Sequence, residues 1–388
     1  MTATFRGFQR PGGAFGARNH VAILPSVGCA VEVADRIARA VEGTQAVLHH
    51  QGCCQMPPDL ARVTDALVGL GRNPNVGAVL VVSLGCEGVD ARAVAARVRE
   101  SGKAVDLISI QELGGTLAAV GAGTKIATCL ARAAADAARE RAPLATLTVG
   151  VKCGGSDATS GLASNPVVGR ALDRLVDAGG TAVFGETTEF IGAEDVLASR
   201  CATREAASSL LSAVRDCEAR VNALGVDMRG GQPTPGNIAG GLTTIEEKSL
   251  GAIVKSGARP IQGMLEYGQA PPGRGLWAMD TPGREIEVLA GLAAAGAQVI
   301  LFSTGRGVPQ GFPLVPVLKV CGNAATCRHM AGEVDFDASG VLAGTHAVEA
   351  LGDALFEGVV AVASGEATKS EAIGYTNPVD FYVRGPVI

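Results

Sequence analysis

Four of the ten cysteines in this 388-residue chain follow short apolar runs and stand in glycine-containing turns. An apolar run that ends in a turn predicts a buried strand, and the carboxyl ends of parallel strands meet at the ligand-binding edge of an α/β sheet. Thiolate, imidazole and carboxylate groups at such an edge would suit a transition metal. The sequence therefore predicts a metal-dependent active site, with candidate ligands Cys29, His49, Cys53, Cys86, Glu87 and Cys153, and with His50 beside them.

The alternative is that these thiols are core residues, since a free cysteine is often buried as a small hydrophobe. We expect that role for Cys129, Cys201 and Cys217, which lie in helical stretches. None of the four strand-end cysteines belongs to a CxxC pair, so a zinc knuckle is not indicated. The spacing is compatible with an iron centre, or with an iron–sulfur cluster assembled from separate loops. Cys54 is expected to point away from its neighbour Cys53.

Two histidines follow a predicted strand, at positions 49 and 50. Successive side chains of an extended chain face opposite ways, so at most one of the two can be an inward ligand. Either one is also a candidate catalytic group.

Two loops are candidates for binding an anion. The first is Gly154, Gly155, Ser156 and Asp157, whose consecutive N–H groups could hold a carboxylate; the alternative is a plain helix cap. The second is a strand end that presents an arginine, whose planar fork binds carboxylates with two hydrogen bonds; the alternative is a surface residue in a turn. Its residues are Ser303, Thr304 and Arg306.

Three side chains are candidates for acid–base chemistry. Lys248 could enter the crevice or merely begin a solvated helix. Glu186 and Glu189 follow a predicted strand and could transfer protons or simply cap a turn.

Length and composition exclude several classes of protein. A chain of 388 residues exceeds a single core, and we expect domains at 1–145 and 146–388. The net charge of −5 and the lack of a basic stripe argue against nucleic acid. No apolar run is long enough to span a membrane, and the first residues lack a secretory signal. Ten cysteines without an export signal then predict a reducing compartment, the cytoplasm.

Strand-like and helix-like stretches alternate along both parts. This alternation predicts an α/β fold made of two Rossmann-like parallel-sheet units. Asp90 is a predicted helix N-cap, and 116–142 is predicted to be one long helix.

Several longer motifs keep a fixed order between about residue 16 and residue 323. This combination resembles the altronate and galactarate dehydratase family. The matching stretches are RNHVAILPSVGC, HHQGC, NPNVGAVLVVSLGCE, CGGSDATSGLASNP, GNIAGGLTTIEEKSLG, AMDTPG and FSTGRG.

The resemblance implies a lyase that depends on iron or another divalent metal (Fe²⁺ or Mn²⁺). Such a lyase removes water from a sugar acid such as altronate or galactarate and gives a 2-keto-3-deoxy acid. The family also includes the large subunit of sulfolactate sulfo-lyase, which releases sulfite from 3-sulfolactate to give pyruvate. Full-length sugar-acid dehydratases carry an extra small N-terminal domain that this chain lacks. We therefore expect a separate small subunit as a partner, and an oligomer.

Within this interpretation the metal binds the carboxylate and α-hydroxyl of a hydroxy acid, and Lys248 or Glu186 is the base. A polyol would need amide side chains such as Asn165 and Asn237, whereas a sulfonate would need one more cation. Two other classes stay open: a non-catalytic scaffold subunit and a thiol-redox or iron–sulfur protein.

Overall fold

A four-stranded parallel sheet forms the first unit of the fold. The computed structural model describes residues 4–386. The strands of this part of the chain are β1 (Thr4–Gln9), β2 (Phe15–Gly16), β3 (His20–Pro25), β4 (Thr44–Ala46), β5 (Val76–Ser83), β6 (Ala104–Ser109) and β7 (Arg139–Pro143). The helices are α1 (Val31–Ala40), α2 (Pro57–Arg72), α3 (Ala91–Arg99) and α4 (Thr116–Ala135).

The strand order in this sheet is β4-β3-β5-β6, and every pair is parallel. Apolar residues of α1 and α4 cover one face of the sheet, and those of α2 and α3 cover the other. Burial on both faces explains why its strands are continuous apolar runs. The predicted N-cap is confirmed, because the Asp90 carboxylate accepts a hydrogen bond from the backbone N–H of Ala93 at 2.9 Å.

The predicted long helix over 116–142 ends earlier than expected. Helix α4 stops at Ala135, and β7 follows over Arg139–Pro143. This strand pairs with β1, and β1 also pairs with β2, in a separate antiparallel three-stranded sheet. Long-range pairing with the N-terminal strand has therefore overridden the helix propensity of an alanine-rich segment.

A seven-stranded sheet forms the second unit, with the order β10-β11-β9-β8-β12-β13-β14. All of its pairs are parallel, so the prediction of two parallel-sheet α/β units is confirmed. Its strands are β8 (Thr148–Cys153), β9 (Thr181–Phe184), β10 (Ile261–Leu265), β11 (Gly275–Met279), β12 (Val299–Thr304), β13 (Val317–Cys321) and β14 (Phe336–Asp337). Its helices are α5 (Asn165–Asp177), α6 (Glu194–Ser199), α7 (Arg204–Asn222), α8 (Met228–Gly231), α9 (Pro235–Ala239), α10 (Ile245–Ile253), α11 (Glu285–Ala294), α12 (Ala324–His329), α13 (Val348–Ala363) and α14 (Lys369–Ile373).

The two units share apolar packing. One core cluster contains residues of α2 and α3 together with α11 of the second unit. Phe5 of β1 lies in the core of the second unit, and Phe381 near the C-terminus lies in the core shared with the first. The chain thus crosses between the units at both ends, and the division at residue 145 stays a prediction. Within residues 4–386, no helix is both long and apolar enough to cross a membrane.

Candidate active site

A cleft of about 690 Å³ lies at the carboxyl ends of β8, β9 and β12. In an open parallel sheet this edge is where ligands bind. The loop after each of these strands contributes to the cleft wall, and so do α9 and α10. Several residues that the sequence singles out line it together: Cys153, Gly154, Gly155, Ser156, Glu189, Asn237, Lys248 and Arg306.

Beneath the cleft lies a set of buried ionisable side chains, which we call the buried charge cluster: Lys152, Cys153, Glu186, Glu189 and Lys255. Lys255 is at its centre. Its Nζ donates hydrogen bonds to Glu186 Oε2 at 2.7 Å, to Glu189 Oε2 at 2.8 Å and to the sulfur of Cys153 at 3.2 Å. Lys152 Nζ lies 3.3 Å from Glu186 Oε1 on the other side. Two ammonium groups therefore face two carboxylates, so the cluster is neutral overall.

The pKa values of the two carboxyl groups, Glu186 and Glu189, are shifted in opposite directions. Burial and the neighbouring Glu189 raise the pKa of Glu186. Burial also opposes ionisation of Glu189, but Lys255 and Lys248 outweigh it and lower the pKa of Glu189 to about 2. Burial raises the pKa of the Cys153 thiol, so Cys153 stays protonated and donates to Glu189 Oε2 at 3.1 Å. Divergent pKa values in adjacent acids are typical of active sites.

Backbone strain marks the same place. Glu186 has φ of 75°, in the left-handed region, which costs on the order of 1–3 kcal/mol for a residue other than glycine. Its N–H donates to Thr281 Oγ1 at 2.6 Å, and its carboxylate accepts from the Cys153 N–H at 2.8 Å. These contacts hold the carboxylate under the end of β8. Strain kept in place by surrounding structure suggests a functional constraint.

Cys153, Glu186 and Glu189 form a group that could hold a metal ion, because their ligand atoms lie within 4.8 Å of one another. The Lys255 ammonium, however, already donates a hydrogen bond to all three. A divalent ion would have to displace this ammonium and also deprotonate the buried Cys153 thiol, because cysteine binds a metal as its thiolate. The residues at this position therefore do not fit a resident metal while Lys255 is in place.

Lys248 and Arg306 are two of the three basic residues that line the cleft; Arg284 is the third. Lys248 Nζ donates to Gln232 Oε1 at 2.9 Å and lies 4.0 Å from Glu189 Oε1. Arg306 Nη1 donates to the carbonyl of Gly236 at 2.7 Å, and Arg306 forms no salt bridge with any described carboxylate. The segment 228–241 therefore forms part of the cleft wall.

Only part of the predicted anion-binding loop lines the cleft. Gly154, Gly155 and Ser156 line the cleft, whereas Asp157 is buried and accepts hydrogen bonds from the Ser160 N–H at 3.1 Å and from Asn323 Nδ2 at 3.0 Å. Asp157 thus supports the loop from within.

Other polar side chains predicted to contact substrate are used internally. Asn237 lines the cleft, but its amide donates to the carbonyl of Ser156 at 2.9 Å. Asn165 donates to the carbonyl of Gly251 at 2.7 Å and lines a neighbouring cavity of about 310 Å³. Ser303 and Thr304 are fully buried below the cleft.

The other predicted metal ligands lie in the first unit, away from Cys153. Cys29, Cys53 and Cys86 are exposed in the loops after β3, β4 and β5, and Cys54 is exposed beside them. The sulfur atoms of Cys53 and Cys54 lie 3.7 Å apart, so the expectation that Cys54 points away is wrong. Cys129, expected in the core, is exposed as well.

The two histidines face opposite ways. His49 is buried; its Nε2 donates to the carbonyl of Pro25 at 2.8 Å, and its Nδ1 accepts from the Gln51 N–H at 3.2 Å. Burial lowers the pKa of His49 to about 4, so the ring is neutral. His50 is exposed, 3.6 Å from Asp380. Both nitrogens of His49 are thus engaged with backbone groups.

Glu87 is likewise engaged within its own loops. Its carboxylate accepts from Ser26 Oγ and from the Gly85 N–H, each at 2.6 Å. These hydrogen bonds outweigh partial burial and lower the pKa of Glu87. The six predicted ligands therefore do not form one set: Cys153 lies with the buried charge cluster, His49 and Glu87 are hydrogen-bonded to other groups of the protein, and Cys29, Cys53 and Cys86 are exposed.

Asp380, near the C-terminus, connects the thiol-bearing loops to the cleft. Its Oδ1 accepts from Gln51 Nε2 at 2.8 Å, and its Oδ2 accepts from Arg284 Nη2 at 3.2 Å. Arg284 lines the cleft. The carboxyl edges of the two sheets are therefore joined through one buried carboxylate.

The sequence interpretation missed Lys152, Lys255 and Asp380. Lys152 had a signal, since a charged residue in the apolar strand TVGVKC is rarely buried without a partner. Lys255 and Asp380 carried no local sequence signal, because the residues that they contact are distant in the chain.

Comparisons with known proteins agree with this geometry. Residues 7–135 match the second domain of D-galactarate dehydratase/altronate hydrolase, and residues 144–383 match the C-terminal domain of D-galactarate/altronate dehydratase. The chain is 38% identical to the (2R)-sulfolactate sulfo-lyase subunit beta of Chromohalobacter salexigens, over 96% of this chain and 95% of that one.

Two dehydratases are also similar. Altronate dehydratase of Bacillus subtilis is 37% identical over 88% of this chain and 69% of its own length. Galactarate dehydratase (L-threo-forming) of Escherichia coli is 32% identical over 99% of this chain and 77% of its own length. The family resemblance seen in the motifs is confirmed, and the chain belongs to the D-galactarate/altronate dehydratase family.

Proposed function

We propose that the chain is a lyase that eliminates sulfite from 3-sulfolactate to give pyruvate. The observation that carries this proposal is the pair of arginines at the cleft: Arg284 and Arg306 both line it. A substrate with a carboxylate at one end and a sulfonate at the other needs cations at both. The side chains of Asn237, Asn165 and Ser303, which could have bound the hydroxyls of a polyol, instead form internal hydrogen bonds.

The relatives support the same choice. The (2R)-sulfolactate sulfo-lyase subunit beta is 38% identical to this chain over 374 residues. Since the sulfo-lyase relative is named as a subunit, we also propose a separate small subunit as partner and an oligomeric enzyme.

The proposed reaction is a β-elimination. A base removes the proton from C2, the C3–S bond breaks, and its electron pair leaves with sulfite. The enol that remains takes up a proton at C3, loses the proton of its C2 hydroxyl and so becomes pyruvate. Because the C2 proton is weakly acidic, the developing charge on the carboxylate must be stabilised by fixed donors.

We assign the base to Lys248. Of the two base candidates, Lys248 lines the cleft, whereas Glu186 is fully buried beneath it. Lys248 must act as the free amine, and positioned proton transfer of this kind contributes on the order of 10²–10⁴ in rate. The N–H groups of Gly155 and Ser156, with Arg306, hold the anionic groups of the substrate; the Gly154 N–H instead donates to the carbonyl of Ser303 at 3.0 Å.

The buried charge cluster has an electrostatic role in this scheme. Lys255 keeps its proton, because Cys153, Glu186 and Glu189 raise its pKa well above the usual range in spite of burial. It therefore fixes Glu189 as a carboxylate 4.0 Å from Lys248. Iron, when bound, would supply Lewis-acid polarisation of the carboxylate and hydroxyl; the donors whose chemistry fits iron are the exposed thiols Cys29, Cys53 and Cys86.

Dehydration of a sugar acid is the second candidate. It is favoured by the names of both matched family models and by the altronate and galactarate dehydratases among the relatives. It uses the same C2 proton abstraction, with water as the leaving group.

The test is a product assay under anaerobic conditions, with the chain alone and with its proposed small subunit. We expect equal amounts of sulfite and pyruvate from 3-sulfolactate, and no keto acid from altronate or galactarate. A 2-keto-3-deoxy acid from either sugar acid, without sulfite, would support the second candidate. No turnover of any of the three in either preparation would overturn the lyase and leave a scaffold role.

The base assignment is tested with Lys248→Met, and Lys125→Met on the exposed face of α4 is the control. Loss of more than a hundredfold in kcat for the first variant only is expected. A loss of less than tenfold would remove Lys248 from the base role.

A further inference from the structure

Exposed thiols are concentrated at the carboxyl edge of the first sheet. Strands β4, β3 and β5 are neighbours, and the loops after them carry Cys53, Cys29 and Cys86. A free thiol on a protein is usually buried. Three exposed ones at the ends of three adjacent strands therefore call for another explanation.

The three loops are tied to one another next to these cysteines. The N–H of Gly28, beside Cys29, donates to the carbonyl of Gln51 at 3.0 Å. The N–H of Gly88, two residues after Cys86, donates to the carbonyl of Gly52 at 3.0 Å. Gly52 itself cannot be replaced, because a Cβ there would lie 2.2 Å from the carbonyl oxygen of Ser26. The thiols thus stand on a fixed backbone platform.

The spacing argues against one metal ion. Among the described residues, the one group of three ligand atoms within 4.8 Å of each other is in the buried charge cluster, and no three groups of these loops qualify. Metal–thiolate bonds of about 2.3 Å place two thiolates on one ion no more than about 4.6 Å apart. A cluster, in contrast, puts several irons and sulfides between its thiolates and so spans a wider gap.

Neighbouring groups suit thiolate ligands. Gln111 Nε2, from the loop after β6, donates to the sulfur of Cys86 at 3.4 Å. N–H groups directed at ligand sulfurs are a regular feature of iron–sulfur sites and tune their potential. Cys54 differs from the other three, since its thiol contacts Cys53 at 3.7 Å and so offers a hydrogen bond to that sulfur.

We propose that Cys29, Cys53 and Cys86 bind an iron–sulfur cluster as three thiolates, with one iron position left for a non-protein ligand. Each thiol loses its proton on binding. Clusters are commonly held by four cysteines, so three leave one iron position without a protein thiolate. Asp380 joins this edge to Arg284 of the cleft. The proposal goes beyond the elimination reaction, and its test needs no turnover.

The test is the iron and acid-labile sulfide content of protein purified anaerobically, together with absorbance near 400 nm. The variants are Cys29→Ser, Cys53→Ser and Cys86→Ser, with Cys54→Ser and Cys129→Ser as controls; Cys129 is equally exposed but lies on α4. We expect iron and sulfide in equal amounts in the wild type and in both controls, and at least tenfold less in each of the three variants. Circular dichroism must show that the variants are folded.

Two further outcomes would overturn the proposal. Iron without sulfide in the wild type would indicate a mononuclear site. Loss of the cluster in Cys54→Ser would show that the ligand set is not the three thiolates named. As a second measurement, anaerobic alkylation of the wild type should leave Cys29, Cys53 and Cys86 unmodified and should label Cys129; labelling of all four would contradict the assignment.

Discussion

The Nζ of Lys255 lies 2.7 Å from Oε2 of Glu186, and both side chains are completely buried. Lys255 follows α10 and Glu186 follows β9, so two separate crossovers of the second unit bring this pair together. A buried ion pair rarely adds stability in itself, because both charges lose their hydration. We therefore interpret the pair as fixing the charge and the protonation state of the buried side chains beneath the cleft.

Lys255→Met should strongly destabilise the protein. It leaves Glu186 and Glu189 buried without their shared counter-charge, and breaking a buried pair costs about 3–5 kcal/mol. The measurement is the free energy of unfolding from urea denaturation. Lys125→Met, on the surface of α4, should change it by less than about 0.5 kcal/mol. Equal stability of the two variants would mean that Lys255 does not neutralise the cluster.

The stability of the wild type should fall in acid because of Glu189. Its pKa is lowered from 4.5 to about 2 in the folded state. A lowered carboxyl pKa stabilises the folded state above the unfolded pKa, and this contribution is lost as the pH falls from about 4.5 towards 2. Glu189→Gln removes it, so the gap in unfolding free energy between wild type and variant should be widest near pH 7 and should close below pH 4.5. A gap that does not change with pH would refute the assignment.

Gly305→Ala should damage the cleft. A Cβ at this position would lie 1.9 Å from Asp157 Oδ1, so the carboxylate that supports the Gly154–Ser156 loop must move. We expect kcat/KM to fall at least tenfold. Gly332→Ala is the matched control, since its Cβ meets nothing within 4 Å and its φ is not positive. Equal activity of both variants would show that the Asp157 contact does not position the loop.

Asp380→Asn should separate two functions of one side chain. The amide oxygen of the variant can still accept from Gln51, as Asp380 Oδ1 does now at 2.8 Å, but an NH₂ group replaces the oxygen that faces Arg284. We expect KM for 3-sulfolactate to rise at least fivefold, with kcat within twofold and the unfolding midpoint nearly unchanged. The prediction fails if KM stays at the wild-type value, or if kcat and stability fall together.

The general architecture could be predicted from the sequence. Continuous apolar runs such as VGAVLVVS indicate strands covered on both faces, and their alternation with amphipathic stretches indicates parallel sheets. The segment 139–143 could not be predicted correctly, because its strand forms only by pairing with β1. Local propensity carries no information about a partner more than a hundred residues away.

The candidate active site, too, could be predicted only in part from the sequence. The sequence by itself determined that Cys153 and Arg306 lie at the ends of predicted strands that could meet at one sheet edge, because strands can be recognised from the local pattern. Only the tertiary structure decided that Lys255 occupies the centre of the buried charge cluster, that Asp157 and Asn165 face inwards, and that Cys153 is separate from the other predicted ligands. These outcomes depend on contacts between residues far apart in the chain, and on which polar atoms must be satisfied once buried.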